Sequence, residues 1–193
     1  MLTKLIIRGR YLSDGRLSMD WIIALDRSII FAVQDTVVTP WLTPFMEMVS
    51  FIGEYGFVWI IIGLGLCYTK KYRRTGMALL LGLIIMMLLG NIVIKNLVMR
   101  ARPCVDYIGV SVLAVPPDTY SFPSGHSFSS FTAAAIITTA HKKLWSVLAF
   151  GLAFIIAFSR IYLFVHYPSD VFAGLVFGLL LGFVSWKIIN MRV

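Results

Sequence analysis

The sequence predicts an all-α protein, a polytopic membrane helical bundle with five clear spans plus an N-terminal amphipathic or sixth helix. Three observations support this prediction, and two of them come from the composition. Of the 193 residues, 59% are apolar and 13% are charged, whereas an average soluble domain is about 45–50% apolar and about 25% charged. The third observation is that the apolar residues form several runs close to the roughly 20 residues that a membrane span needs. This pattern excludes a disordered chain, a coiled coil and an ordinary water-soluble domain.

The first 50 residues are predicted to form a basic, amphipathic helical region. Within them, residues 18–34 carry apolar side chains at helical spacing. Three charged residues interrupt that segment: Asp20, Asp26 and Arg27. Because a spanning helix tolerates such charges poorly, we favour an amphipathic helix in the membrane interface over a sixth span.

The remaining residues, 51–193, are predicted to form the helical core, so that one membrane-embedded domain covers residues 1–193. The core contains five apolar segments, separated by turn-forming or charged residues. They cover residues 51–68, 77–99, 124–140, 144–164 and 170–189.

The formal net charge of +8 has two possible origins in a membrane protein. One is an excess of Lys and Arg in cytoplasmic loops, and the other is an anionic ligand. Residues 69–76 contain four basic side chains, and residues 141–143 and the C-terminal tail contain four more, without an acid. Five alternating spans place these segments on one side, which the positive-inside rule makes cytoplasmic. We expect a multi-pass protein of the cell (plasma) membrane and no nucleic-acid partner.

The basic N-terminus conflicts with this topology. Lys4, Arg8, Arg10 and Arg16 favour the cytoplasmic side, yet five spans leave them outside. A membrane crossing by residues 18–34 would remove the conflict, and the sequence leaves this alternative open.

Four further basic residues lie near the outer ends of the spans: Lys95, Arg100, Arg102 and Arg160. Cations at the membrane edge are costly and usually face a partner or a cavity. Lys95 and Arg102 are two helical turns apart and share a face if the helix continues that far. However, Pro103 disfavours helical geometry at Arg102. The alternative is that these side chains extend to lipid headgroups.

The segment Pro123-Ser124-Gly125-His126 reads as a turn that leads into a helix N-terminus. Such a turn brings free backbone N–H groups, a hydroxyl and an imidazole to one point, which suits a phosphate or an oxyanion. The alternative is a plain capping turn in which Ser124 is the N-cap and His126 has no role.

A third group of residues, Arg160, His166 and Asp170, lies where the fourth segment gives way to the fifth. The carboxylate of Asp170 could orient the imidazole of His166, as in nucleophile–base pairs, or the two could merely cap two helices. All three groups fall on the same predicted side of the membrane. Cations, helix-terminal amides, two histidines and one carboxylate suit phosphoryl transfer. They do not suit Mg²⁺ or Ca²⁺, which need several carboxylates, so we expect no metal and no cofactor.

These residues resemble the type 2 phosphatidic acid phosphatases, which share their site with vanadium haloperoxidases and bacterial acid phosphatases. The family pattern is Lys-x6-Arg-Pro, Pro-Ser-Gly-His and Ser-Arg-x5-His-x3-Asp. The sequence matches it in residue type, spacing and order at Lys95–Pro103, Pro123–His126 and Ser159–Asp170. The resemblance implies a membrane-embedded phosphatase domain.

The resemblance also implies a role for each site residue. His166 would be the nucleophile, Asp170 would hold its far ring nitrogen, and His126 would be the general acid. The phosphate oxygens would be held by Lys95, Arg102, Ser124, Gly125 and Arg160. Arg100 lies outside the pattern and could bind a headgroup or a second phosphate, although we favour a solvent-facing position. The apolar loop 104–122 could shape the approach for lipid chains or pack on the helix ends.

The resemblance predicts hydrolysis of a lipid phosphate monoester or diphosphate on the extracytoplasmic face of the membrane. Candidate substrates are phosphatidic acid, phosphatidylglycerol phosphate and undecaprenyl diphosphate. One alternative is a lipid phosphotransferase with the same site. Another is a non-catalytic scaffold or anion carrier, which would not need the pair of His166 and Asp170.

Overall fold

The computed structural model describes residues 20–107, 119–140 and 143–191, and every regular element within these ranges is helical, as predicted. The chain order is α1 (Asp20–Thr36), α2 (Thr43–Ile52), a 3₁₀ turn (Glu54–Gly56), α3 (Phe57–Tyr68), α4 (Arg73–Met86), α5 (Pro103–Asp106), α6 (Gly125–Ala140), α7 (Lys143–Tyr162) and α8 (Pro168–Asn190). Helix α4 continues through a π-helical segment (Met87–Ile94) into a last α-helical turn (Lys95–Val98).

Three helical stretches of the described chain are long and apolar enough to cross a membrane. They cover Arg73–Asp106, Lys143–Tyr162 and Pro168–Asn190, and the bent pair formed by α2 and residues 54–68 would make a fourth. Four of the five predicted spans therefore have a counterpart. The other, residues 124–140, forms a helix of 16 residues, short of the roughly 20 that a typical span needs. The count of five spans stays a prediction.

The predicted first span, residues 51–68, is not one continuous helix. The chain breaks at Glu54–Gly56 and bends by 42°. The cause is local, because Tyr55 and Gly56 adopt left-handed backbone angles, with φ of 49° and 73°, which an α-helix cannot contain. The break turns the C-terminal end of α2 towards α6 and α7.

Helix α6 occupies the centre of the bundle and packs against α4, α7 and α8. Its contact with α8 depends on Gly174, Gly178 and Gly182, which lie four residues apart on one face of α8. A Cβ atom at Gly178 would lie 2.8 Å from the carbonyl oxygen of Phe128 in α6, and the other two glycines approach α6 as closely. Small residues thus let the two backbones touch.

The amphipathic interpretation of residues 18–34 is favoured by the contacts of α1. Asp26 and Ile30 are buried, whereas Trp21, Leu25 and Ile29 are exposed on the other side. The partners of α1 lie where α7 ends and α8 begins: Gln34 donates a hydrogen bond to the carbonyl of Tyr162, and Asp26 accepts one from the amide of Ser169. Helix α1 therefore lies across one end of the bundle. The basic residues of the N-terminus, and also Lys142 and Arg192, lie outside the described residues.

We expect the substitution Gly178→Ala to lower the thermal stability of the protein in detergent. The added methyl group meets the backbone of α6, and overpacking of this kind costs about 1–3 kcal/mol. The matched control is Gly151→Ala in α7, where a Cβ atom meets no described atom within 4 Å. There the better helix propensity of alanine should leave the stability unchanged or raise it by up to about 1 kcal/mol. Equal melting temperatures for the two variants would contradict the proposed packing.

Candidate active site

A cavity of about 710 Å³ opens among α2, α4, α6 and α7. Its lining includes most of the site residues predicted from the sequence, which come from segments far apart in the chain. They are Lys95, Arg102, Gly125, His126, Arg160 and His166. The other two predicted residues, Ser124 and Asp170, are fully buried next to the lining.

Lys95 and Arg102 meet in the cavity by a route that their helical spacing does not explain. The helix ends at Val98, and Arg102 is extended. Thr119, which the sequence reasoning missed, joins the two: its hydroxyl accepts hydrogen bonds from Lys95 Nζ at 3.4 Å and from Arg102 Nη2 at 3.0 Å. Its carbonyl accepts a third from Arg102 Nε at 2.7 Å. Thr119 belongs to the loop 104–122, of which residues 108–118 lie outside the described residues.

The π-helical segment of α4 contributes a polar residue that was also missed, Asn91. It lines the cavity, and its amide group lies next to Gly125, where a Cβ atom would come within 3.2 Å of Asn91 Oδ1. π-Helical turns are frequent at functional sites because they shift the direction in which side chains project. The signal in the sequence was a single polar residue in an otherwise apolar run.

His166 is buried, and its ring has a defined protonation state. Arg102 Nη1 lies 3.0 Å from His166 Nε2, and because a guanidinium can only donate, Nε2 must be the unprotonated nitrogen. Burial, reinforced by the positive charges of Arg102, Arg160 and Lys95, lowers the pKa of His166 well below its usual range. The ring is therefore neutral at neutral pH, with its proton on Nδ1 and its lone pair on Nε2.

Asp170 lies on the Nδ1 side of His166. Its Oδ2 is 3.7 Å from Nδ1, which is too long for a hydrogen bond. The same oxygen accepts hydrogen bonds from the hydroxyl of Ser121 at 2.5 Å and from the amide of Tyr167 at 2.9 Å. Ser121 also lies 3.4 Å from Nδ1, so it sits between the ring and the carboxylate.

His126 and Arg160 share a partner in α2, Ser50. The carbonyl of Ser50 lies 3.1 Å from His126 Nε2, so this nitrogen carries a proton and donates it to the carbonyl. Arg160 Nη1 donates to the hydroxyl of Ser50. No sequence motif pointed to Ser50, because its role depends on the bend after α2.

Ser124 occupies the capping position that the sequence left open as an alternative. Its hydroxyl accepts hydrogen bonds from the amide of Ser127 at 3.4 Å and from the hydroxyl of Ser127 at 3.1 Å. Its own amide donates to the carbonyl of Asp170. Gly125, the next residue, is the one that faces the cavity.

The expectation that Arg100 faces solvent is wrong. Only 23% of its side chain is exposed, and the guanidinium forms ion pairs of 2.6 Å with both Asp26 and Asp170. It turns inwards because two buried carboxylates need a cation. Within the described ranges, no three His, Cys, Asp or Glu side chains cluster in a way that could hold a metal ion.

Comparison with known proteins shows the family of the chain. The PAP2 superfamily matches residues 75–193. The chain is 33% identical to an undecaprenyl-diphosphatase from Sulfolobus acidocaldarius over 73% of its length and 69% of the relative. It is also 33% identical to phosphatidylglycerophosphatase B from Bacillus subtilis, over 75% and 74%.

The fold is similar to the crystal structure of a transmembrane PAP2-type phosphatidylglycerolphosphate phosphatase from Bacillus subtilis. The TM-score is 0.72 at 30% sequence identity, and the match covers 90% of each chain. The chain therefore belongs to the PAP2 superfamily and is an integral membrane, multi-pass lipid phosphatase that hydrolyses phosphomonoesters or diphosphates.

Proposed function

We propose that the protein hydrolyses a lipid phosphate monoester or diphosphate through a phosphohistidine at His166, without a metal ion, on the extracytoplasmic face of the membrane. Substrates of the phosphatidic acid, phosphatidylglycerol phosphate or undecaprenyl diphosphate type suit this site. The observation that carries the mechanism is the hydrogen bond from Arg102 to His166 Nε2, because it keeps a lone pair on the nitrogen that would attack.

The reaction begins when substrate phosphate displaces Nε2 as the partner of Arg102. The lone pair of Nε2 forms a bond to phosphorus, and the bond from phosphorus to the leaving oxygen breaks. His126, protonated on both ring nitrogens beside the bound phosphate anion, gives its Nε2 proton to that oxygen and becomes neutral. The Nδ1 proton of His166 stays on the ring, whose new positive charge faces Asp170. In the second step His126 takes a proton from water, the water oxygen attacks phosphorus and the bond to Nε2 breaks.

The positive charges of Lys95, Arg102 and Arg160 line the cavity and would neutralise the phosphoryl oxygens. This supplies the electrostatic stabilisation that metal ions supply in many other phosphoryl transfer enzymes. The backbone amide of Gly125, at the N-terminus of α6, suits a further phosphate oxygen. The buried hydroxyl of Ser124 would support this turn as a cap.

The proposed orientation rests on the distribution of basic residues. The connection between α3 and α4 carries Lys70 and Lys71, and Arg73 and Arg74 begin α4. These residues lie at the other end of α4 from Lys95. The positive-inside rule then assigns the cavity to the outer side.

We expect His166→Ala to reduce phosphate release from lipid phosphates by at least about 1,000-fold, because it removes the nucleophile. Substrate binding should remain measurable, since the cations of the cavity are retained. The measurement is phosphate release from a panel of phosphatidic acid, phosphatidylglycerol phosphate and undecaprenyl diphosphate. The matched control is His141→Ala, which changes a histidine outside all three motifs and should keep full activity. Equal rates for His166→Ala and the unchanged protein would contradict the mechanism.

Activity should be insensitive to chelation and sensitive to vanadate. Excess EDTA should leave the rate of phosphate release unchanged, because side chains and not a metal would neutralise the phosphate. Orthovanadate should inhibit, since it mimics the five-coordinate transition state. Loss of activity in EDTA that added Mg²⁺ restores would contradict the metal-free mechanism.

The orientation is tested with the two native cysteines, Cys67 at the end of α3 and Cys104 in α5 beside Arg102. Both side chains are partly exposed. In intact cells, a membrane-impermeant thiol reagent should label the Cys67→Ser variant, which retains Cys104, and spare the Cys104→Ser variant. Both variants should react once the membrane is permeabilised. The reverse pattern in intact cells would place the cavity on the cytoplasmic side.

A further inference from the structure

We propose that Asp26, on the N-terminal helix α1, is a positioning residue for the reaction at His166. It acts through Arg100 and the first turn of α8, which together fix the carboxylate of Asp170. This inference rests on the proposed function, and it assigns a mechanistic part to α1, which lies outside the three motifs.

Arg100 forms a bridge between Asp26 and Asp170. One nitrogen, Nη2, donates to Asp26 Oδ2 at 2.6 Å, and the other, Nη1, donates to Asp170 Oδ1 at 2.6 Å. The guanidinium also stacks on the ring of Tyr167, 4.1 Å from its centroid. Nη1 also donates to the hydroxyl of Ser169 at 2.7 Å. These four contacts leave Arg100 one orientation.

Asp26 also holds the start of α8. Its Oδ1 accepts a hydrogen bond from the amide of Ser169 at 2.8 Å, and its Oδ2 accepts one from the hydroxyl of Ser169 at 2.5 Å. Asp26 thus caps the N-terminus of α8 from another helix, where a negative charge is favourable. Asp170 is the next residue in this first turn.

The charge of this cluster links it to the reaction at His166. Asp26, Arg100 and Asp170 together carry a net charge of −1, and the two carboxylates are buried. The neutral ring of His166 becomes cationic when Nε2 bonds to phosphorus, and the cluster then offsets that charge. Without the charge of Asp26, Arg100 would neutralise Asp170 and leave less negative potential at Nδ1. Asp26 should therefore affect the reaction step more than substrate binding, since it does not line the cavity.

The test compares Asp26→Asn with Asp35→Asn, the same change at an exposed position of the same helix. We expect Asp26→Asn to lower kcat by about 10- to 100-fold, the range found when outer-shell partners of metal-binding side chains are removed. KM should stay within about twofold, and Asp35→Asn should leave both constants unchanged. Asp26→Glu should recover part of kcat, because it restores the charge. Wild-type kcat in Asp26→Asn, or a rise in KM alone, would overturn the proposal.

A double-mutant cycle separates this role from a general loss of stability. Asp26→Asn, Arg100→Gln and the double variant should be non-additive, with the double variant no slower than the slower single variant. Additive losses would overturn the proposed action through Arg100. If Asp26→Asn does not fold, Arg100→Lys takes its place, since one ammonium cannot bridge both carboxylates as a guanidinium does. It should show the same fall in kcat, and wild-type kcat would overturn the proposal.

A vanadate titration distinguishes failure of this inference from failure of the proposed function. If the unchanged protein releases no phosphate from any lipid of the panel, the proposed function fails. Vanadate binding would still report on the site at His166. Asp26→Asn should weaken the affinity for vanadate about tenfold, whereas Asp35→Asn should leave that affinity unchanged. Equal affinity in Asp26→Asn and the unchanged protein would overturn the positioning role.

Discussion

The structure depends on burying three positive charges around one cavity without neutralising them. Lys95, Arg102 and Arg160 are each at least 93% buried, and buried cations are costly unless they are hydrogen-bonded. Within the described part of the chain, their hydrogen bonds go to neutral acceptors, namely hydroxyls, carbonyls and one imidazole nitrogen. These bonds hold the side chains in place and leave their charge available to an anion. Arg100 differs, because two carboxylates already neutralise it.

Helices on different sides of the cavity hold the charged and polar groups of the site in place. The π-helical end of α4 and the bend after α2 bring Lys95, Asn91 and Ser50 to the cavity. The glycine face of α8 brings its first turn against the first turn of α6, so that Asp170 reaches the far side of His166. Helix α1 packs where α7 ends and α8 begins, and it contributes Asp26. A change in any of these packing contacts would shift a charged group relative to the nucleophile.

The sequence predicted the helical class and the residues around the cavity because both leave strong local signals. Long apolar runs indicate membrane helices, and the three motifs hold their residues at fixed spacings. Ser50, Thr119 and Ser121 were missed because they act through contacts between distant segments, and an isolated serine or threonine carries no local signal. The solvent-facing prediction for Arg100 failed for a related reason, since its partner Asp26 lies 74 positions earlier in the chain.

The central claim is a double displacement at phosphorus through a covalent bond to His166. The stereochemistry of hydrolysis tests it most directly. The substrate is a lipid phosphorothioate monoester made chiral at phosphorus by one heavy oxygen isotope, and hydrolysis in water that carries a second heavy isotope releases a chiral inorganic thiophosphate. Two in-line displacements, first by Nε2 and then by water, predict overall retention of configuration at phosphorus. Inversion would show a single direct attack by water, and would contradict the assignment of His166 as nucleophile.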